Sequence, residues 1–384
     1  MRLSDICNVY SGYAFKTFND LGHGVPVIKI SNLLPDGSID LINCLFTTDN
    51  FKEKFYSKKN DIYIALSGAT TGKIGIMDTD NTFAINQRVG IVRNRSAVSN
   101  EYLKYFLMSK SNQILEEASG CAQPNISPKQ IANYDVPIFS DGEMNKIVSE
   151  LKEIDKIKNI YQKQLELLDE LVKARFVEMF GDPNIEFKYS SVKFNDLVAR
   201  MTKGPFGSDM KKDLFVPKGE DTYKVYIQIN AIQKNQSLGE YYISKEYFDR
   251  KVSRFELFPN DYIITCDGTL GKYLKLDENM EKGVISPSLL RLTLQNDKIN
   301  DKYFENIWDF YMLGLMKKEA RNACLVHLPS AKKIGEISIP VPPLELQNQF
   351  ASFVEEIDKS RSRIQKSLEA SQELFDSLMQ EYFG

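Results

Sequence analysis

The segment Gly68-Ala69-Thr70-Thr71-Gly72-Lys73-Ile74 holds two glycines, two hydroxyls and a lysine, the ingredients of a loop that grips phosphate. A nucleotide-hydrolysing P-loop needs four residues between its glycines and a Ser or Thr after the lysine to hold magnesium. Here three residues intervene, and Ile74 cannot bind a metal. A second copy, Gly268-Thr269-Leu270-Gly271-Lys272, is shorter still. Nucleotide hydrolysis is therefore not expected. Two readings stay open: a turn whose Thr70, Thr71, Lys73, Thr269 and Lys272 hold a DNA phosphate, and a plain hairpin turn. Glu186-Phe187-Lys188 after Asp182-Pro183 faintly resembles a nuclease carboxylate–lysine site. Its acids crowd a short linker instead of converging from adjacent strands.

Other chemistry lacks material. His23 and His327 are the only histidines, and no Ser/His/Asp or Cys/His arrangement can be built from them. Five scattered cysteines (Cys7, Cys44, Cys121, Cys266, Cys324) have no CxxC spacing, which fits reduced thiols in a cytoplasm. There is no G-x-G-x-x-G fingerprint and no Asn-Pro-Pro-Tyr segment of the type used by amino-methyltransferases. No cofactor or metal site is expected on the chain, and no catalytic residue.

Polar and aromatic residues cluster instead in matched loops. Tyr13, Phe15 and Lys16 pair loosely with Lys203, Phe206, Ser208 and the nearby Lys211. Asn86-Gln87-Arg88 pairs with Ser286-Pro287-Ser288, and Gln123 and Asn125 with His327. Asn, Gln and Arg can each make two hydrogen bonds to a base edge, while Lys and Ser hold phosphates. Any single member can equally be a solvated loop residue. The clusters differ between copies, so if they read bases they read different sequences.

The elements that position these loops repeat. A constant shift of 203 places Asn145–Gly181 on Asn348–Gly384 without gaps, matching Glu153-Ile154-Asp155-Lys156 to Glu356-Ile357-Asp358-Lys359 and Phe180-Gly181 to Phe383-Gly384. Such a match marks an internal duplication. Ile147, Leu151, Ile154, Tyr161, Leu165, Leu168 and Val172 follow 3- and 4-residue steps, as do Phe350, Val354, Ile357, Ile364, Leu368 and Phe375. That period predicts two long helices that pack on each other. Prolines precede both, and Gly181 reads as a stop. Short apolar, β-branched runs at Val25–Ile30, Asp61–Leu66, Ala84–Val92, Tyr223–Ile229, Asp261–Thr265 and Leu289–Leu294 read as strands, and Asn100–Leu115 and Asn300–Lys318 as helices. The order is globule, helix, globule, helix, with boundaries at 1–140, 141–182, 183–340 and 341–384.

With 384 residues, 42% hydrophobic and 26% charged, the chain reads as folded and multidomain. No apolar run is long enough to span a membrane, and no secretory h-region is seen, so a cytoplasmic location is expected. The net charge of −3 hides a pattern. Residues 1–140 carry 14 basic and 13 acidic side chains, 141–182 carry 7 and 10, 183–340 carry 24 and 21, and 341–384 carry 4 and 8. Any DNA contact must therefore come from local basic faces on the two globules.

This organisation resembles the specificity (S) subunit of type I restriction–modification systems over the whole chain. Pro342-Pro343-Leu344-Glu345-Leu346-Gln347 matches the family's lead-in to its helical repeat, and Gly120–Ser127 resembles its Gly-x-x-x-x-x-Ile-Ser segment. Asp61–Lys73 and Asp261–Lys272 resemble its strand followed by a glycine turn. The first lead-in, Pro137–Glu143, lacks the Pro-Pro-Leu-Glu form, and His327 interrupts the usual polar run. The resemblance implies an α+β fold: two mixed α/β target-recognition domains separated by an antiparallel pair of long coiled-coil helices in pseudo-twofold arrangement. It implies a non-catalytic subunit that reads a split, asymmetric double-stranded DNA site, one half per domain, with the helices fixing the spacer. Two modification (methyltransferase) subunits, which carry S-adenosylmethionine, and ATP- and Mg-dependent restriction (translocase–nuclease) subunits are the implied partners. The competing readings are a two-lobed protein-binding adaptor with no DNA role and a stand-alone nuclease using Glu186 and Lys188.

Overall fold

The computed structural model of the chain describes residues 1–118, 124–182, 184–233, 239–321 and 327–384. These form two compact units, Met1–Lys163 with Ile364–Gly384, and Gln164–Arg363.

The first unit holds strands β1 (Cys7–Ser11), β2 (Val25–Ile28), β3 (Leu45–Thr47), β4 (Ile62–Ala65), β5 (Ile74–Ile76), β6 (Ala84–Ile85) and β7 (Val89–Asn94). They build an antiparallel sheet in the order β1-β7-β4-β5 and a smaller sheet β3-β2-β6, in which β2 and β6 run parallel. The continuous run Ile62–Ala65 is buried on both faces, which is why it lacks polar alternation.

The second unit holds β8 (Ser191–Lys193), β9 (Val198–Lys203), β10 (Thr222–Tyr226), β11 (Tyr241–Ser244), β12 (Tyr262–Thr265), β13 (Tyr273–Lys275), β14 (Gly283–Ile285), β15 (Leu289–Leu294) and β16 (Ser338–Pro340). Its sheets β13-β12-β15-β9 and β11-β10-β14 repeat the first unit's strand order, down to the parallel pair β10–β14. β8 and β16 add a two-stranded ribbon where the first unit has a single bridge, Arg2 with Asp135.

Two 40-residue helices, Asp141–Phe180 and Leu344–Phe383, each contribute one part to each unit. In the first unit Tyr382 Oη donates to Glu150 Oε2 at 2.6 Å, and Lys158 Nζ lies 4.1 Å from the Phe375 ring centre. In the second, Arg361 reaches Asp169 at 2.6 Å and the Phe176 and Phe350 rings lie 5.6 Å apart. Residue numbers rise along one helix as they fall along the other, so the two run antiparallel, as the resemblance implied.

Ile147, Leu151, Ile154 and Val172 are buried on the expected seam, while Tyr161, Leu165 and Leu168 are only half-buried. Two helices alone leave a seam partly wet, and it is the globules that close it. Phe383 packs on Tyr102 and Phe106 of the helix Asn100–Ser109. Its repeat mate Phe180 packs on Tyr303 and Phe350. Each such Phe contributes about 1.5–3 kcal/mol by burial.

The helix ends are locally coded. Ser140 and Glu143 form a reciprocal capping box at the start of the first long helix. Gly181 closes it at φ +90°, a left-handed position suited to glycine. Gln347, fully buried, donates to Pro342 O and Lys298 O and accepts from Asn300 N, locking the second helix to its globule. Met144 occupies the matching site in the first unit and is buried by packing alone, so that copy needs no Pro-Pro-Leu-Glu-x-Gln segment.

Several expected elements are broken. Asn100–Leu115 splits at Lys110, whose Nζ donates to Phe383 O at 2.8 Å. Asn300–Lys318 widens into a π turn at Trp308–Met312, which accommodates the buried Trp308 and lets its Nε1 donate to Gly271 O. Ala84–Val92 divides into β6 and β7 around Asn86–Arg88. Tyr223–Ile229 ends as a strand at Tyr226, before a short helix Gln228–Ala231.

Candidate nucleic-acid interface

In each unit one end of the sheets gathers four chain segments. In the first unit, Gly12 N donates to Val89 O (2.9 Å), Tyr13 N to Ile85 O (2.8 Å) and Gln87 N to Tyr13 O (2.9 Å). Leu66 N donates to Arg88 O and Ile126 N to Leu66 O, both at 2.9 Å, and Ser67 bridges Asn125. These bonds place Tyr13, the Gly68–Lys73 turn, Asn86–Arg88 and Asn125 side by side. Gly12 is required for this contact. A Cβ there would sit 2.2 Å from Ile85 O, a backbone atom that cannot swing away.

The second unit repeats the frame. Gly204 N donates to Leu289 O, Cys266 N to Ser288 O and Leu328 N to Cys266 O, each at 2.8 Å, and Asp267 bridges His327. A Cβ on Gly204 would lie 2.0 Å from Ser286 O. Lys203, Ser286–Ser288, Gly268–Lys272 and His327 therefore form the matching cluster.

The glycine turns are hairpin turns joining β4 to β5 and β12 to β13. Gly68, Thr71, Gly72 and Lys73 all spend their amides on carbonyls within or beside the first turn. The Thr71 hydroxyl, buried, donates to Gly68 O at 2.7 Å. What the turn still offers is the Lys73 side chain and, in the second unit, the exposed Thr269 and Lys272.

The remaining candidates sort by orientation. Gln87, Arg88, Asn125, Lys203, Ser208 and His327 are exposed, and Phe206 is 75% exposed. Tyr13 and Ser288 are half-buried. Phe15 lies in an apolar cluster with Val27 and Ala84, edge-on to Phe51 at 5.0 Å, so it supports the loop from within. Asn86 accepts from Arg88 N, and the buried Ser286 faces Ser288 Oγ at 3.3 Å, so both shape their turns. The Thr70 hydroxyl is buried without a hydrogen-bond partner. Lys16 and Lys211 lie past the cluster, where the chain leaves along the second sheet: Lys16 N donates to Asp49, and Val216 bridges Tyr242 on β11. The Thr17 hydroxyl and the Lys16 amide hold the half-buried Asp49 carboxyl below its usual range. Gln123 and the Gly120–Gln123 stretch lie outside the described residues.

Charge favours a polyanion here. Among the described residues, Lys16, Lys73, Arg88, Lys203, Lys211 and Lys272 form no side-chain ion pair, in contrast to Arg93, held by Asp61 at 2.6 Å, or Lys224, held by Glu240 and Glu281. Unpaired cations beside exposed amide side chains are suited to phosphate and base edges.

The arrangement offers little else. Burial pushes the Cys7 and Cys266 thiols up to about 12 and Cys44 to about 11, which disarms them as nucleophiles. Cys121 and Cys324 lie outside the described residues. Lys188 caps the first long helix, its amide and its Nζ donating to Phe180 O and Glu178 O. No group of three or more metal-ligating side chains occurs among the described residues. Nor is any of their helices long and apolar enough to cross a membrane.

A model of the type I restriction modification DNA specificity domain matches residues 1–169 and again 207–372. The chain belongs to that family. The DNA specificity domain family fits the duplicated frame, each match covering all or most of one loop cluster and much of a long helix. The putative type I restriction enzyme MjaX specificity subunit of Methanocaldococcus jannaschii is 23% identical over 398 residues, covering 95% of this chain and 89% of that protein. The MjaVIII specificity subunit of the same organism is 27% identical over 183 residues, 45% of this chain but only 43% of its own length. The S subunit from M. genitalium shares the fold at TM-score 0.52 and 15% identity, covering 100% of this chain and 95% of that one. A chain solved in a study of type I R-M complex assembly and conformational transition does so at TM-score 0.56 and 13% identity, covering 100% and 96%. As a specificity-domain protein the chain has a role in DNA sequence recognition and is not an enzyme.

The sequence reading missed one feature of the interface: Asp267 was overlooked because its partner His327 lies 60 residues away.

Proposed function

We propose that this chain reads a bipartite, asymmetric DNA site, one half-site per unit, and scaffolds the methyltransferase and translocase–nuclease subunits of a type I system. The observation that carries this is one backbone frame, built twice, bearing different side chains: Gln87, Arg88 and Asn125 in one copy, Ser288, His327 and Asp267 in the other. A shared frame explains a shared mode of docking, and unlike side chains explain unlike half-sites. The chain supplies no catalytic group and holds no cofactor. S-adenosylmethionine, ATP and magnesium belong on the partner subunits, two of which are modification subunits. The setting is the cytoplasm, where the DNA is. The long helices, running through both units, set the unread spacer.

The test is to co-express the chain with its system's modification subunits and map methylated sites genome-wide. A split motif is expected, and Gln87→Ala with Arg88→Ala should alter one half only. Changes in both halves at once, or a motif without a gap, refute the proposal. A protein-binding adaptor would bind no duplex DNA in a salt-dependent manner.

A further inference from the structure

Within the second unit's loop cluster, Asp267 places a carboxylate in the same cluster as Lys203, Lys272 and the Ser286 and Ser288 hydroxyls. A carboxylate there weakens approach to phosphates, so a compensating role is needed. Its geometry is fixed. Cys266, fully buried, anchors it on one side through its bond to Ser288 O, and Gly268 at φ +66° turns the chain away on the other. His327 Nδ1 lies 2.5 Å from Asp267 Oδ1. A carboxylate only accepts, so Nδ1 carries the proton and donates. That leaves Asp267 Oδ2 without a hydrogen bond among the described residues, on a side chain 38% exposed. The first unit has Ser67 and Asn125 at the same bridge and no carboxylate.

We propose that Asp267, oriented by His327, is a specificity determinant that accepts a hydrogen bond from an exocyclic amino group in the major groove, adenine N6 or cytosine N4. In the major groove these are the amino donors, while guanine O6 and thymine O4 are acceptors. Oδ2 rewards the former and repels the latter, so the acid discriminates by repulsion as well as attraction. This rests on the reading of the second unit as a half-site reader.

The amino-to-keto distinction gives a narrow prediction. Adenine and guanine differ by it, and so do cytosine and thymine. Asp267→Asn adds a donor without changing shape, so the methylated motif should relax at one position of one half-site to a transition, purine-for-purine or pyrimidine-for-pyrimidine. The other half-site and the spacer should stay as they are. Discrimination at that position should fall by roughly 5- to 150-fold, the worth of a good base contact. Lys272→Ala serves as control and should lower occupancy evenly without changing the motif.

A second arm probes the contact from the DNA side. The wild-type complex is titrated with duplexes in which single adenines of that half-site are replaced by inosine and single cytosines by uracil. One replacement should weaken binding, and that penalty should vanish with Asp267→Asn. A motif unchanged in the variant, a relaxation to transversions, or binding indifferent to every replacement overturns the inference. Absence of any split motif in the wild type instead refutes the half-site reading on which it rests.

Discussion

Phe383→Ala, a change one residue from the end of the sequence, is expected to destabilise the unit built on the chain's first residues. The Phe383 ring is buried 5.3 Å from Tyr102 and 6.1 Å from Phe106, and its carbonyl accepts from Lys110. Emptying such a site costs about 3–5 kcal/mol. For a unit of about 150–250 residues, each kcal/mol moves the midpoint by about 2–4 °C, so a fall of about 6–20 °C is expected. Trp308, the chain's one tryptophan, is fully buried in the second unit and reports on it alone. Melting should therefore be followed by tryptophan fluorescence and by far-ultraviolet circular dichroism together. Phe383→Ala should shift part of the dichroism transition and leave the fluorescence transition in place. Phe180→Ala, at the repeat position, removes contacts with Tyr303 and Phe350 and should do the reverse. If Phe383→Ala moved the fluorescence midpoint as far as Phe180→Ala does, the division into two units built across the chain would be refuted.

Three further outcomes are expected. Gly12→Ala, forced against the backbone of Ile85, should abolish recognition of the first half-site, read as loss of that half in the methylation map while Gly204→Ala erases the other. Lys73→Ala and Lys272→Ala should each reduce the slope of log affinity against log salt by about 1, measured by fluorescence anisotropy on the assembled complex; an unchanged slope would remove that side chain from the phosphate contacts. Seven residues inserted into both long helices, after Lys163 and after Arg363, add about 10 Å, or about three base pairs at about 3.4 Å each; methylation mapping should show the spacer lengthened by that amount with both half-sites unaltered.

The repeat was legible because its frame is coded by residues whose roles survive duplication. Phe180 and Phe383 end their helices in equivalent cores, and the apolar runs at Ile62–Ala65 and Tyr262–Thr265 sit buried in the middle of matching sheets. The loop clusters were legible only as neighbourhoods. Phe15 and Phe206 look alike in sequence, yet one is core and the other 75% exposed, because the positions of Gly12 and Gly204 on their neighbouring strands decide which side chain turns inward. Thr71 and Ser286 were candidates by type and are consumed in shaping turns. Gln347 was noticed as part of a motif, but its reason, three backbone bonds in a buried slot, appears only when the loop at Lys298–Asn300 is brought to it.

The division of the first unit between the two ends of the chain imposes an order on its birth. When Lys163 leaves the ribosome, the greasy faces of Tyr102, Phe106 and Leu151 are finished but uncovered, since Phe375, Met379 and Phe383 are yet to be made. At about 5–20 residues per second the wait lasts roughly 10–40 s. In that interval the second unit's own globule emerges. The nascent first half is thus the stage of synthesis most open to chaperones, or to mispairing with another ribosome's product, and its rescue comes with the final helical turns.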